Sequence, residues 1–493
     1  MKLNSLPDSI FREIFAFCLS SASDHTTEWQ KLVQVCRRWQ EIIYGSPRYL
    51  DLHLHCSNAT PFRNNLGRWP ELPLTLEYIF YSDEDDSEEV ADIIAALEQP
   101  DRVHCINLRI ASSFSKVDEV LQKMEVPFPV LTHLDLVGPD QDDYHEGTVL
   151  PPGFLGGSAP CLQHLRFNAV NAIIFQELPS VLLSARGLIS LRLEDIPNCS
   201  GYNSPDVIVG GLAALTKLRT LSINFRFPEP EETLDPQEGL EHKRRPEPPM
   251  RAVLPALTEF VFTGESEYLE DIVAQIDLPS VEDIKIYCFP PGTEVRELSR
   301  FISRTEHLGL AQFGHAQVYF DVDTSYCQIK LDHPQGERHQ VSFLLGMTSD
   351  PDGAPGLDGL VACMGHLLGQ ITTLLSNVGH LSFEGQQGWD WDSNDLDDSK
   401  LLPLLHSFPA VEALHVSGVL AGYVAAVLEN IDEGRVTEVM PALRSLQLDG
   451  IMEAVGSPER FLSLRRLSGH PVVIVNTDMR FSSLSDQRPI GGI

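Results

Sequence analysis

The chain is 493 residues long and carries 36 basic against 70 acidic side chains, a formal net charge of −34 at pH 7. Binding to nucleic acids and anionic membranes rests on neutralising phosphates with Lys and Arg, so this balance argues against both as partners. With 43% apolar and 22% charged residues the chain should bury a core, and its length suggests about three domains unless an internal repeat lets one grow.

The start, MKLNSLPDS, has no apolar region of the kind a secretory leader needs. The most apolar stretch, Leu360 to Leu375, is interrupted by Gly365, His366, Gly369 and Gln370, and reads as too polar and too short to span a bilayer. The 9 cysteines are scattered singly with no C-x-x-C pair, which fits reduced thiols inside a cell, in cytoplasm or nucleus.

Ser5-Leu6-Pro7-Asp8 is a capping-box string, and a helix should follow it. Ile10, Ile14 and Phe17 form one apolar stripe on that helix, and Phe11, Phe15 and Cys18 form a second beside it. A further helix is expected from Thr27 to Ile43, stopped by Gly45 and Pro47, with Trp29, Val33, Cys36, Trp39 and Ile42 among its apolar residues. A module of this size cannot bury so much apolar surface alone. Either a partner or the neighbouring domain must cover the excess.

LPDSIFREIF, LVQVCRRWQEII and SPRYLDL together resemble an F-box, whose outline is LP-x-x-I/V-x-x-x-I-F, V-C-x-x-W and a short apolar end. The linker around Ser20 to Thr27 is longer than usual, and Arg48-Tyr49-Leu50 stands where many F-boxes have a Trp. The resemblance implies docking of the S-phase-kinase-associated adaptor that bridges to a cullin–RING ubiquitin ligase. Its motif positions fall on Leu6, Pro7, Ile10, Ile14, Phe15, Val35, Cys36 and Trp39.

Beyond the module an apolar-x-x-apolar-x-apolar pattern recurs, as in PVLTHLDL (129–136), PCLQHLRF (160–167), PALTEFVF (255–262), PSVEDIKI (279–286), PAVEALHV (409–416) and PALRSLQL (441–448). Its copies start at 103, 131, 162, 188, 218, 257, 281, 305, 378, 411 and 443, spaced 24 to 39 residues apart except for one gap of 73. That is the period of a leucine-rich repeat. The last two apolar residues lie two apart and share one face of a short strand, so stacked copies predict a parallel sheet covered by the returning segments. The expected fold is α/β: a helical module over 1–55, an irregular leucine-rich-repeat solenoid over 56–475, and a flexible tail over 476–493. Insertions are expected near 228–250 and 311–377; the second has room for two or three hidden repeats, with strands at 318–322, 328–331 and 341–345 and a helix over 357–376. RVTEVMPALRSLQLDG and RFLSLRRLSGHPVVIVNTD resemble the closing repeat and helix of fungal, basidiomycete-type F-box proteins.

The chain contains no Walker loop, G-x-G-x-x-G, H-E-x-x-H or G-x-S-x-G, so no catalytic residue, metal or cofactor is assigned. Asp390 to Asp395 begins like a calcium loop but lacks its Gly and closing Glu. His53, His55 and Cys56 lack a fourth ligand for zinc. His133, His164, His307 and His380 all precede the second apolar residue of their repeats. Strands about 4.8 Å apart would set His133 beside His164, either as a pH-sensitive or metal-binding pair or as exposed positions that tolerate His. The expected function is a non-catalytic substrate receptor whose repeats grip a protein target through exposed strand residues such as Asp135, Arg166, Arg192, Glu259, Lys285 and His415. A ligase-independent scaffold of leucine-rich repeats is the alternative.

Overall fold

The computed structural model describes residues 6–21, 25–47, 49–65, 71–80, 87–110, 116–138, 150–151, 153–168, 174–196, 205–226, 251–288, 296–305, 308, 313–321, 326–333, 340–346, 357–385, 398–418, 420–449 and 458–475. The insertion expected at 228–249, His307, the aspartates at 390–395 and the tail at 476–493 lie outside them. The chain is mixed α/β with mostly parallel strand pairing, and it divides into two compact units. One comprises residues 1–227, 246–261 and 275–280, the other 228–245, 262–274 and 281–493.

The first unit opens with α1 (Asp8–Ser21), α2 (His25–Val33) and α3 (Arg37–Tyr44). The single helix expected over 27–43 is broken at Val35 and Cys36, where Cys36 is extended (φ −163°, ψ 163°). The break has a packing cause. On one straight helix Trp29 and Trp39, ten residues apart, would point roughly 80° apart about the axis. Separated, Trp29 turns its indole Nε1 to the His53 carbonyl (3.1 Å), while Trp39 sets its ring edge-on to Phe15 at 4.9 Å.

Seven strands follow: β1 (Leu54–Ser57), β2 (Leu74–Phe80), β3 (Val103–Ile110), β4 (His133–Val137), β5 (His164–Asn168), β6 (Ser190–Ile196) and β7 (Thr220–Phe225). Each pairs in parallel with the next in chain order. Their connections carry α4 (Phe62–Asn65), α5 (Ser87–Leu97), α6 (Val117–Gln122), α7 (Ile174–Ser184) and α8 (Pro205–Leu212). The repeated apolar residues explain the layering. Leu131, Leu162, Leu188 and Leu218 are fully buried just before their strands, and alternate strand residues such as Leu134, Leu136, Leu165 and Phe167 bury the same face.

Strand entry repeats one hydrogen-bond device. The Thr132 carbonyl accepts the N–H groups of both Gln163 (2.8 Å) and His164 (3.0 Å), and the Gln163 carbonyl accepts those of Ile189 (2.7 Å) and Ser190 (3.0 Å). Arg219 and Thr220 share the Ile189 carbonyl, and Thr258 and Glu259 share that of Arg219. Glu259 begins β9 (Glu259–Gly264), within which the two units divide; β8 (Ala252–Val253) and β10 (Ile276–Asp277) form a separate parallel pair.

The second unit contains most of α9 (Ser266–Gln275), then β11 (Asp283–Cys288), α10 (Arg296–Arg304), β12 (His315–Asp321), β13 (Tyr326–Asp332) and β14 (Gln340–Gly346). After these come α11 (Leu357–Gln370), α12 (Thr372–Leu375), β15 (His380–Gly385), α13 (Asp398–His406), β16 (Ala413–Ser417), α14 (Leu420–Asn430), β17 (Ser445–Asp449), α15 (Glu459–Leu467) and β18 (Val473–Ile474). The long gap in the repeat pattern holds a meander rather than hidden repeats. β14 pairs in parallel with β11, β13 runs antiparallel to both β14 and β12, and β12 pairs in parallel with β15. Two reversals cancel, so the strands on either side keep one direction. The shared-carbonyl entry recurs: Gly314 serves Gly379 and His380, Gly379 serves Glu412 and Ala413, and Glu412 serves Arg444 and Ser445.

Carboxylates from one connection cap helices of another. Asp92 on α5, 3% exposed, accepts the Phe62 and Arg63 N–H groups at 2.5 and 2.8 Å and the Tyr78 hydroxyl at 2.5 Å. Glu270 on α9 accepts the N–H groups of Glu297 (2.6 Å) and Leu298 (2.9 Å) at the start of α10. Near the end of the chain Arg465 is 0% exposed. It donates to the carbonyls of Val436, Met440 and Pro441 at 3.4 Å and of Leu443 at 3.0 Å. Those acceptors line the turn in which Met440 adopts a left-handed conformation (φ 45°).

Replacing Arg465 with Met would leave these carbonyls unsatisfied and should destabilise the protein by about 2–4 kcal/mol, read from the denaturant midpoint at unchanged slope. Burial pushes the Glu270 carboxyl up to about 7, above its unfolded value near 4.3. The stability from that shift is therefore present at pH 4 and lost as the pH rises through 7. Glu270→Gln should remove a pH-dependent decline on the order of 2 kcal/mol between pH 4.5 and 7.5, measured by denaturation at both ends.

Candidate functional site

The helical module turns one apolar stripe of α1 inward and the other out. Phe11 and Phe15 are 2% and 1% exposed and pack on Trp39, whereas Ile10, Ile14, Phe17 and Val35 are 44%, 42%, 73% and 59% exposed. Pro7 and Cys36 are exposed on the same module, and Leu6 and Trp39 are half-buried. Phe15 therefore lies in the module's interior and not on its surface. It follows Phe11 by one helical turn, and both rings face α3. Phe17, the third residue of the expected stripe, stands outside the F-box motif positions, and Arg38 joins the site unanticipated. Phe17 completes the exposed stripe, and Arg38 fastens the start of α1 to α3 by donating to the Leu6 carbonyl (2.6 Å) and Asp8 Oδ1 (2.7 Å) beneath the exposed Pro7.

On the polar face of the first unit Asp135, Arg166 and Arg192 are direct cross-strand neighbours. Arg166 donates to Glu194 at 2.8 Å and lies 3.7 Å from Asp135. Among the described residues Asp135 Oδ1 has no partner, and burial raises that carboxyl despite Arg166. Glu259 falls outside this row. Its N–H shares the strand-entry carbonyl just as those of His164 and Ser190 do, so it stands two residues earlier in its strand than Arg166 and Arg192 do in theirs.

That earlier position carries a ladder of imidazoles. His133 and His164 stack with centroids 4.4 Å apart and planes 13° apart, side by side as their spacing predicts. His104 follows at 6.4 Å and His53 beyond it at 4.6 Å. Sequence periodicity misses His104 because it is a bulge residue: Leu74 pairs with Val103 and Thr75 with Cys105, leaving His104 unopposed. Burial, and then the neighbouring imidazoles, hold His133 below its ordinary value; burial and His53 do the same for His104, against Asp51. Among the described residues no group of three or more His, Cys, Asp or Glu is placed to hold a metal ion.

The second unit aligns Lys285, Ser342, Lys330, Gln317, Ser382, His415 and Gln447 in one cross-strand row, so Lys285 and His415 stand in the same row. A cavity of about 600 Å³ opens over β12, β15, β16 and β17. His415 and Ser382 line it; His415 Nδ1 lies 3.4 Å from Ser382 Oγ, and its Nε2 lies 2.7 Å from Oδ2 of Asp449, which stands behind the lining. Ser382, His415 and Asp449 thus follow the order of a nucleophile relay, but the hydroxyl donates to Glu384 at 3.2 Å, a stronger acceptor than imidazole. The arrangement offers hydrogen bonds and negative charge.

No protein-family model matches the chain, and no curated protein matches it significantly in sequence. No helix among the described residues is long and apolar enough to cross a membrane.

A histidine held below its ordinary value favours the fold while neutral, so its contribution is present above pH ~6.5 and lost as the pH falls. Thermal melts at pH 7.5 and 5.0 should show that His133→Gln lessens the acid destabilisation, with little change in melting temperature at pH 7.5.

Proposed function

We propose that this protein is a substrate receptor of a cullin–RING ubiquitin ligase, in which residues 6–50 act as an F-box and the parallel strands act as an irregular leucine-rich-repeat solenoid that holds a protein target. The observation that carries the reading is the outward stripe of Ile10, Ile14 and Phe17 with Val35, on a module that already buries Phe11, Phe15 and Trp29. Exposed apolar residues clustered on so few helical turns mark a surface that a partner covers. The F-box resemblance names that partner as the S-phase-kinase-associated adaptor.

A receptor of this kind needs no catalytic group. Holding a target's lysines near a charged conjugating enzyme raises their effective concentration, and rate follows from proximity alone. The scaffold reading rests on a different observation. Trp29, with Nε1 on the His53 carbonyl, and buried Leu50 and Leu52 tie the module to β1, as a cap would be tied. That attachment uses α2 and the segment after α3 and leaves Ile10 and Ile14 of α1 exposed.

Ile14→Glu combined with Val35→Glu should weaken capture of the purified adaptor by about a hundredfold while leaving the melting temperature within a few degrees. Trp39→Ala is the poorer probe, since Trp39 supports Phe15 inside the module. If the unmodified full-length protein fails to bind the adaptor in a calorimetric titration, the scaffold reading replaces the receptor.

A further inference from the structure

We propose that the groove over β12, β15, β16 and β17 is the seat for an arginine side chain of a partner protein. The proposal rests on the reading of this sheet face as the target-binding face, and it adds the chemistry of what is bound. The groove exists because of a change in side-chain size along one cross-strand row. His315 pairs with His380, His380 with Ala413, and Ala413 with Ser445, so two large rings give way to two small residues. Beyond them Val475 forms the far rim. The resulting space of about 600 Å³ suits one long side chain and its flanking backbone.

The wall of the groove is flat. His315 and His380 stack with centroids 4.8 Å apart and planes 15° apart, so one face of the His380 ring rests on His315 and the other turns toward Ala413. A planar, weakly hydrated guanidinium stacks on such a face, whereas a compact ammonium gains less from it. Negative charge stands directly behind the lining. Asp449 Oδ2 accepts Nε2 of two lining residues, His415 at 2.7 Å and Gln447 at 2.9 Å, and among the described residues no hydrogen bond falls on its Oδ1. Glu384 lies one step along from Ser382, and Asp332 stands at the groove's edge, 3.5 Å from Lys330. Among the described residues around the groove these three carboxylates outnumber that one lysine, which favours a cationic guest and disfavours an acidic or phosphorylated one.

The test uses the full-length protein and short peptides of identical flanking sequence with a central Arg, Lys, citrulline or Asp, each fluorescein-labelled and titrated by anisotropy. Citrulline keeps the shape of arginine and removes its charge. The Arg peptide should bind at least tenfold more tightly than the citrulline and Asp peptides and more tightly than the Lys peptide. Asp449→Asn should weaken Arg binding about tenfold. Ala413→Phe, which fills the groove without touching the charges, should abolish it at an unchanged melting temperature. Equal binding of Arg and citrulline peptides, preference for Asp, or indifference to Ala413→Phe would overturn the proposal. Adaptor capture measured on the same variants keeps the two readings apart. Loss of Arg binding with capture intact is a fault of the groove only, and binding of Arg without capture leaves the groove standing on a scaffold.

Discussion

A single carbonyl accepting two successive N–H groups, found at seven strand entries, is the constraint on which the sheet's surface depends. It recurs from Thr132 to Glu412, and it starts each strand at the same step relative to its neighbour. Parallel strands have no tight turn to set their register, and a slip of one residue would send every side chain to the wrong face. With register held, residues far apart in sequence become neighbours in rows. Asp135 meets Arg166, Ser382 meets His415, and four histidines meet along one rim. The polar chemistry of the protein is therefore organised across strands, and each strand contributes one or two members to several rows.

The helical module answers a different problem, that of a small body with more apolar surface than it can enclose. Its solution is directional. The break at Val35 and Cys36 lets Trp29 face the sheet and Trp39 face α1, so two surfaces are buried by two short helices where one straight helix would have served only one. Arg38 then holds the first turn of α1 in place and spans the gap between the helices.

Much of this was legible in the sequence, and what was not has identifiable causes. The leucines before and within each strand announced themselves because a buried strand face demands alternation and each copy repeats it. The stripes of α1 were equally plain, but which one faces inward depends on where α3 lies, so Phe15 could not be told from Ile14. Alternation marks the strands of the meander but not their reversal, since it is the same in either direction. His104 gives no periodic signal because a bulge obeys no period, and Glu259 stands two residues before the row of Arg166 and Arg192 because its strand begins with a charge where others have His or Ser. Asp449 and Gln317 gave no signal at all; their roles arise only from the row each enters.

The meander has a consequence for how such a chain can change. A crossing between parallel strands that is lengthened by a hairpin gains two reversals, and everything downstream keeps its direction and its rows. A single added strand would turn the remainder of the sheet upside down. Growth of this sheet from within is therefore quantised in pairs of strands. The groove over β12, β15, β16 and β17 takes one wall from this meander, since β12 carries the His315 that stacks on His380.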